Sequence, residues 1–285
     1  MAAFLHTVCQ RLSMRVGLAL LSGILNGIGF IWLGGLSLIA NVPLLLALCS
    51  TRSIKESMCL GGMVGFLAGL HIYGIAHYGW FLLIFFSFYT ASQMGLYGAL
   101  FQILWNRLNQ WGRLLLPICL WSLTEWIRTL GAFSMPASYV GNMALESYFY
   151  PWLYLAPWFG GLFVSGCVAL IQSLSFLWVL DSRKYKTQLI VGLIAFGALG
   201  IFGVTQPPEI GTDPIEVVGV QAGLHNSRYD AARVDPRANE ELLRTFEALT
   251  QTAYTKQPHL VIWPETAVRD TVMDNEGLAK RFEPP

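Results

Sequence analysis

Acidic residues are nearly absent from the first two hundred positions of this 285-residue sequence. Of its 17 Asp and Glu residues, thirteen lie after position 205, and only four precede it: Glu56, Glu125, Glu146 and Asp181. Charged residues make up 12% of the chain and hydrophobic residues 54%, which is outside the range of ordinary soluble domains. The sequence therefore predicts an apolar domain in lipid, residues 1–205, followed by a polar domain in water, residues 206–285.

Signatures of metal, disulfide and nucleic-acid chemistry are also missing. The cysteines form no Cys-x-x-Cys pair and no Cys/His cluster at metal-ligand spacing, and all five lie in the apolar part: Cys9, Cys49, Cys59, Cys119 and Cys167. No basic patch with interleaved aromatic residues is present, so nucleic acid is not an expected partner. We expect no metal and no cofactor.

Long apolar stretches dominate the first part. A helix needs roughly 20 apolar residues to cross about 30 Å of hydrocarbon. Seven stretches meet or approach this length: 14–33, 35–49, 59–78, 80–105, 113–130, 155–180 and 188–204. The first two could instead form a hairpin or a re-entrant pair, because the second is short. Gly61, Gly65 and Gly69, spaced by four residues, predict close packing of a neighbouring helix.

The basic residues indicate an orientation. With seven spans and a cytoplasmic N-terminus, only Arg128 falls on the extracytoplasmic side before the polar part. The nine basic residues on the cytoplasmic side are Arg11, Arg15, Arg52, Lys55, Arg107, Arg113, Arg183, Lys184 and Lys186. The polar part is therefore predicted to be extracytoplasmic. The first apolar stretch is long enough to span and lacks a cleavage site, so we interpret it as a helix rather than a signal peptide.

One segment at the end of the fifth stretch combines opposite charges. Residues 121–128 read Trp-Ser-Leu-Thr-Glu-Trp-Ile-Arg. Three-residue spacing puts Glu125 and Arg128 on one helix face. Because charges are costly in lipid, a functional role is the default hypothesis. An interfacial anchor with a tryptophan belt, Trp121 and Trp126, explains the pattern equally well.

The polar part begins with a predicted strand–helix–strand unit. Residues 215–221 form a β-branched strand after several prolines, and residues 222–234 form a polar loop. Asp235 and Pro236 then start an amphipathic helix that extends to about Lys256. A second strand follows at residues 260–264. We expect the two strands to be parallel, with a right-handed crossover.

Glu265 directly follows the second strand. In open α/β sheets the reacting groups lie at the carboxyl ends of the strands. Pro264 restricts the backbone in front of this carboxylate, so Glu265 is a candidate general base. The alternative is a surface turn, since a Pro-Glu pair at a strand end needs no function.

The motif around Glu265 resembles a known family. Residues 260–267, Leu-Val-Ile-Trp-Pro-Glu-Thr-Ala, are similar to the glutamate motif of apolipoprotein N-acyltransferases, the membrane branch of the nitrilase superfamily. Residues 218–223 resemble that family's Val-Gln-Gly strand, and residues 121–128 resemble its Trp-x-x-x-Glu-Trp-x-Arg membrane motif. Two further stretches, residues 41–46 and 155–160, also fit. The resemblance extends across essentially the whole chain.

The resemblance implies a fold and a reaction. The expected fold is an α-helical polytopic membrane domain followed by the first βαβ unit of a nitrilase-like α/β sandwich. The implied enzyme is an acyltransferase of the bacterial inner membrane, in the last step of lipoprotein maturation. It transfers an acyl chain from a phospholipid to the α-amine of an apolipoprotein's N-terminal diacylglyceryl-cysteine. Family members use a cysteine nucleophile, a glutamate base and an oxyanion-stabilising lysine.

The same resemblance assigns roles to individual residues. Glu265 matches the catalytic glutamate. The candidates for substrate binding are Trp121, Glu125, Trp126, Arg128 and Tyr229.

The sequence also departs from the family pattern. The family's lysine and cysteine lie beyond the glutamate, whereas no cysteine follows Cys167, which lies inside a predicted span. Residues 134–137 lack an aromatic ring of the family's Phe-Pro-Trp, and Arg228-Tyr229 stands where Lys-Trp is usual. We therefore expect the N-terminal part of such an acyltransferase, a fragment that is inactive by itself.

Two other functions remain open at this point. One is a membrane-anchored amidase or acyltransferase of the nitrilase type that acts on another substrate. The other is a transporter or lipid-binding membrane protein without catalysis, although the sequence shows no internal repeat of the kind that transporters have. Replacement of Glu265 distinguishes the classes, because only an enzyme depends on this carboxylate.

Overall fold

The computed structural model describes residues 11–130, 150–205, 215–264 and 280. The chain divides into two compact units, Met1–Pro208 and Glu209–Pro285, called here the membrane unit and the polar unit. The described elements of the membrane unit are α1 (Leu12–Ile31), a 3-10 helix (Gly34–Leu38), α2 (Val42–Leu48), α3 (Ile54–Gly69), a second 3-10 helix (Leu70–His77), α4 (Trp80–Trp105), α5 (Gln110–Ile127), α6 (Tyr150–Leu153), α7 (Ala156–Phe159), α8 (Gly161–Asp181) and α9 (Lys186–Thr205).

Five segments of the described chain are helical, long and apolar enough to cross a membrane: Leu12–Ile31, Ile54–His77, Trp80–Trp105, Gly161–Asp181 and Lys186–Thr205. The predicted stretch 35–49 instead forms the first 3-10 helix and the seven-residue α2. At 1.5 Å per residue, α2 alone is too short to cross the hydrocarbon. The Arg15–Glu56 ion pair nevertheless puts the starts of α1 and α3 at the same end of the unit. The predicted stretch 113–130 lies mostly in the 18-residue α5, which is not among the five. The described residues thus supply five of the seven predicted spans.

Glycines bring α3 and α4 close together. A Cβ atom on Gly65 would lie 2.7 Å from the carbonyl carbon of Thr90 and 2.8 Å from Cα of Ala91, and one on Gly61 would collide with the carbonyl of Met94. The Thr90 hydroxyl donates a hydrogen bond to the Gly65 carbonyl at 2.8 Å. The close packing predicted from the four-residue glycine spacing is confirmed.

Buried amide side chains connect α1, the α2 start and α8. Asn26 Nδ2 donates to Asn41 Oδ1 at 2.9 Å, and Asn41 Nδ2 donates to Gln172 Oε1 at 3.1 Å. Gln172 Nε2 donates in turn to the carbonyl of Ser37. All four residues are buried. Because polar groups need internal partners in lipid, these bonds fix how the three segments pack.

The two ends of the helices in the membrane unit differ in composition. At the basic end, Arg15 Nε lies 2.6 Å from Glu56 Oε1, joining α1 to α3, and Arg113 donates to the Tyr185 hydroxyl at 3.2 Å. The nine basic residues predicted to be cytoplasmic lie at or near helix ends and in the loops between helices. The opposite end, called here the aromatic end, carries the exposed rings of Trp32, Tyr73, Tyr78, Trp80, Trp126 and Trp158, while Trp111 and Trp178 are exposed near the basic end.

The polar unit contains β1 (Val217–Gly219), α10 (Asn226–Val234), α11 (Pro236–Tyr254) and β2 (Leu260–Ile262). β1 and β2 pair in parallel, with Val217 opposite Leu260, which confirms the predicted pairing. Asp235 caps α11 as predicted, since its side chain accepts a bond from the amide of Arg237 at 2.9 Å. The unit's core contains Val220, Ala232, Leu242, Phe246 and Ala253.

The predicted loop at residues 222–234 is wrong over its second half. Residues from Asn226 to Val234 form α10, which begins where His225 accepts a bond from the amide of Ser227. Ala232 is buried against the core, and Tyr229 packs beside it. Tyr229 and Ala232, three positions apart, thus pack one face of this polar helix against the core.

Candidate functional site

Glu265, the candidate base, lies outside the described residues, but the chain that leads to it is described. Trp263 Nε1 donates to the Thr250 hydroxyl at 3.0 Å, and its ring packs against Phe246 with centroids 5.9 Å apart. The segment after β2 is thus anchored to α11. This contact fixes the backbone two residues before the candidate carboxylate.

Tyr229 belongs to the same polar unit. It lies on α10, half-buried against the core. Nη1 of the neighbouring Arg228 lies 3.4 Å from Oε2 of Glu241, and both side chains are more than half exposed. An exposed ion pair of this kind contributes little to stability, so Arg228 stays available at the surface.

In the membrane unit, Trp121 and Glu125 form a pair on α5. Trp121 Nε1 donates to Glu125 Oε1 at 2.8 Å, and both residues are buried, Glu125 completely. The Trp121 ring also contacts the buried ring of Tyr97 on α4 edge to face, with centroids 6.0 Å apart. The four-residue spacing puts donor and acceptor on one helix face. The carboxyl group of Glu125 is thereby held in the interior by a hydrogen bond from the indole of Trp121.

Arg128 is buried next to the end of α5. Its Nε donates to Gln93 Oε1 on α4 at 2.6 Å. Glu125 and Arg128 both lie in the interior, which agrees with the single face expected from their spacing. By contrast, the side chain of Trp126 is 49% exposed at the aromatic end. The four candidates on α5 therefore divide into three buried residues and one exposed ring.

A small cavity lies beside these buried residues. Its volume is about 30 Å³, and its polar lining residues include Asn26, His71, Thr90 and Arg128. The His71 ring stacks on Phe30 with centroids 4.3 Å apart. A space of this size accommodates a water molecule but not an acyl chain. The cavity is therefore an internal feature of the packing rather than a lipid pocket.

Sequence reasoning missed Gln93 and Asn26. Both are buried amides within apolar helices, and amides at such positions normally hydrogen-bond across helices. That pattern was the only signal available for them. Among the parts of the chain that the structure describes, no group of three His, Cys, Asp or Glu residues could hold a metal ion.

Comparison with known families gives one match. The model of the apolipoprotein N-acyltransferase N-terminal domain matches residues 19–174. This range includes the Trp121–Glu125 pair and Arg128, and it lies wholly in the membrane unit. No curated protein matches the chain.

Proposed function

Because the chain belongs to the apolipoprotein N-acyltransferase family, we propose that it takes part in the N-acylation of lipoproteins. The donor is a phospholipid, and the acceptor is the α-amine of an apolipoprotein's N-terminal diacylglyceryl-cysteine. The match over residues 19–174 carries this proposal, since it covers more than half of the 285 residues.

The proposed reaction has two half-steps. A thiolate attacks the ester carbonyl of the phospholipid, the bond to the glycerol oxygen breaks, and a thioester and a lysophospholipid form. The α-amine then attacks the thioester, which releases the thiol and leaves an amide. Glu265 is the general base that takes the proton first from the thiol and later from the amine, and returns it to each leaving group. The Trp263–Thr250 bond supports this role, because it anchors the preceding chain.

These 285 residues contain no counterpart of the family's nucleophile. No cysteine follows Cys167, and Cys167 is buried within α8. In the family the nucleophilic cysteine follows the glutamate in the sequence, whereas Cys167 precedes it and lies in a helix long enough to cross a membrane. We therefore expect these residues, expressed by themselves, not to form the thioester.

The proposed topology has an odd number of crossings, with the N-terminus in the cytoplasm of a bacterial cell and the polar unit outside the inner membrane. The basic end of the membrane unit supports it, because Lys and Arg are enriched in cytoplasmic loops. The exposed rings at the aromatic end fit the opposite membrane interface. On this topology the polar unit begins a nitrilase-like domain on the side where the lipoprotein substrate is matured.

We assign the candidate binding residues two different tasks. Trp126, exposed at the aromatic end, contacts the lipid donor. Trp121, Glu125 and Arg128 are buried, so they act on binding by holding the end of α5 in place. Tyr229, on α10, contributes to binding of the apolipoprotein acceptor.

The role of Glu265 is tested in the complete 285-residue chain joined to the Lys- and Cys-bearing remainder of an active family member. The masses of a lipoprotein's N-terminal peptides are measured by mass spectrometry, which distinguishes diacylated from triacylated forms. Glu265→Gln is expected to abolish triacylation, whereas the control Glu216→Gln, an exposed carboxylate of the same unit, keeps it. Triacylation that persists in Glu265→Gln at the parent level overturns the assignment.

A further inference from the structure

One buried amide in the membrane unit has an acceptor atom that its neighbours do not use. Asn26, on α1, is 2% exposed. Its Nδ2 donates to the Ser22 carbonyl and to Asn41 Oδ1, both at 2.9 Å. Its own Oδ1 is buried and accepts no hydrogen bond from the residues that the structure describes. A buried acceptor of this kind costs free energy unless a donor reaches it.

The orientation of this amide is fixed by its neighbours. The Ser22 carbonyl can only accept, so it must face the NH2 group of Asn26. Asn41 Oδ1 also accepts, because the NH2 group of Asn41 donates to Gln172, whose own NH2 group donates to the Ser37 carbonyl. Exchanging the oxygen and nitrogen of Asn26 would break two hydrogen bonds. Oδ1 is therefore the atom of Asn26 that needs a donor.

Asn26 lines the cavity of about 30 Å³ that lies beside Arg128. Thr90 lines it from α4, where its hydroxyl donates to the Gly65 carbonyl and its oxygen keeps lone pairs as acceptors. Arg128 lines it next to the end of α5, and a guanidinium group carries only N–H donors. Two acceptors and a donor group from three parts of the unit thus surround one small space.

The size and the lining of this cavity identify its occupant. About 10–15 Å³ is enough for one water molecule, a buried water makes about three hydrogen bonds, and the cavities that stay dry have apolar linings. The positive charge of Arg128 opposes a cation, and the acceptors of Asn26 and Thr90 oppose an anion. We propose that the cavity binds one water molecule, which donates to Asn26 Oδ1 and Thr90 Oγ1 and accepts a hydrogen bond from Arg128.

This water joins two sets of polar contacts in the membrane unit. On one side, the amide chain runs from Asn26 through Asn41 to Gln172 on α8. On the other, Arg128 donates to Gln93 on α4. The bridging water makes them one continuous set of hydrogen bonds from α8 to the end of α5. The site does not depend on the proposed acyl transfer, because all its partners lie in the membrane unit.

The test is hydroxyl-radical labelling by X-ray radiolysis of the 285-residue chain in lipid nanodiscs, with oxidation rates measured by peptide mass spectrometry. Radicals that form from a bound water oxidise the side chains next to it. Trp121 and Trp105 are a matched pair, because both are 5% exposed and only Trp121 lines the cavity. We expect Trp121 to be oxidised several-fold faster than Trp105.

Two variants remove the partners of the water. Asn26→Leu replaces the amide with an apolar side chain of similar size and should lower the oxidation rate of Trp121 to that of Trp105. Thr90→Val removes the second acceptor without breaking the amide chain and should also lower the rate. The control Thr124→Val removes a buried hydroxyl that bonds to the Trp121 carbonyl outside the cavity, and should leave the rate unchanged.

Three results overturn the site. Oxidation of Trp121 at the rate of Trp105 in the parent chain means that the cavity is dry. A rate that stays at the parent value in either Asn26→Leu or Thr90→Val means that these residues do not hold the water. A fast rate that falls when choline replaces sodium in the buffer assigns the cavity to a cation instead.

Discussion

Buried polar contacts decide how the end of α5 is held in the membrane unit. Glu125 is completely buried and accepts a hydrogen bond from Trp121, while Arg128 donates to Gln93 on α4. In hydrocarbon, a polar group that loses its partner cannot turn to water instead. Each of these contacts is therefore expected to matter more than its equivalent on a soluble surface.

Trp121→Phe keeps an aromatic ring but removes the indole N–H that donates to Glu125. We expect the free energy of unfolding in detergent to fall by about 1–3 kcal/mol, the cost of leaving a buried polar group without its bond. The matched control is Trp126→Phe, because Trp126 is 49% exposed and exposed substitutions usually stay within about 0.5 kcal/mol. Equal losses in both variants would show that the Trp121–Glu125 bond does not stabilise the unit.

For single residues, the sequence identified the charged residues of α5 as candidates but did not predict which side chains they contact. Glu125 and Arg128 stand out because charges are rare in an apolar segment, and their shared face follows from their spacing. Gln93 could not be predicted as the partner of Arg128, because the two are 35 positions apart and meet only through the packing of α4 on α5. Pairing of this kind depends on tertiary structure, which local patterns do not encode.

Among the elements, α3 and α4 pack with their backbones close together. Gly65→Ala puts a Cβ atom 2.7 Å from backbone of α4, which cannot move away as a flexible side chain could. We expect a loss of about 1–3 kcal/mol, as for other overpacked cores. Gly62→Ala is the control, three positions earlier on the same helix, where the new atom meets only an oxygen at 3.6 Å. Thermal unfolding of both variants in the same detergent measures the difference, and equal midpoints contradict the close packing.

The start of α11 offers a second test at the level of elements. Asp235→Ala removes the cap that accepts a bond from the Arg237 amide, which typically costs about 0.5–2 kcal/mol. Hydrogen exchange of the full chain should become faster at Arg237 and Asn239. The control Asp230→Ala removes an exposed carboxylate from α10 and should leave the first turn of α11 protected. Unchanged exchange after Asp235→Ala would rule out the cap.

Strong local signals account for the elements that the sequence predicted. The Asp-Pro start and the three- and four-residue apolar spacing predicted α11, and the β-branched runs predicted β1 and β2. Apolarity alone predicts a span or a re-entrant segment at residues 35–49, because it does not show where the backbone changes from a 3-10 helix to the short α2. Helix α10 was missed because its few inward residues, such as Ala232, give a weak periodic pattern.

For the whole molecule, the separation of a basic end from an aromatic end has a consequence for topology. A phosphatase reporter that is active only outside the cytoplasm, joined after residue 285, should be active. The same reporter inserted after Ser182, between α8 and α9 at the basic end, should be inactive. Inactive phosphatase at residue 285 with fluorescence of a cytoplasmic reporter there contradicts the proposed orientation.

Transfer of an acyl chain from a phospholipid to a lipoprotein peptide is the direct test of the proposed function. The 285-residue chain, completed with the remainder of a family member, is purified and given a phospholipid with an isotope-labelled acyl chain together with a synthetic diacylglyceryl-cysteine peptide. We expect the peptide to gain the mass of one labelled acyl group at its α-amine. A peptide that stays at its original mass, in a preparation whose membrane unit unfolds cooperatively, would contradict it.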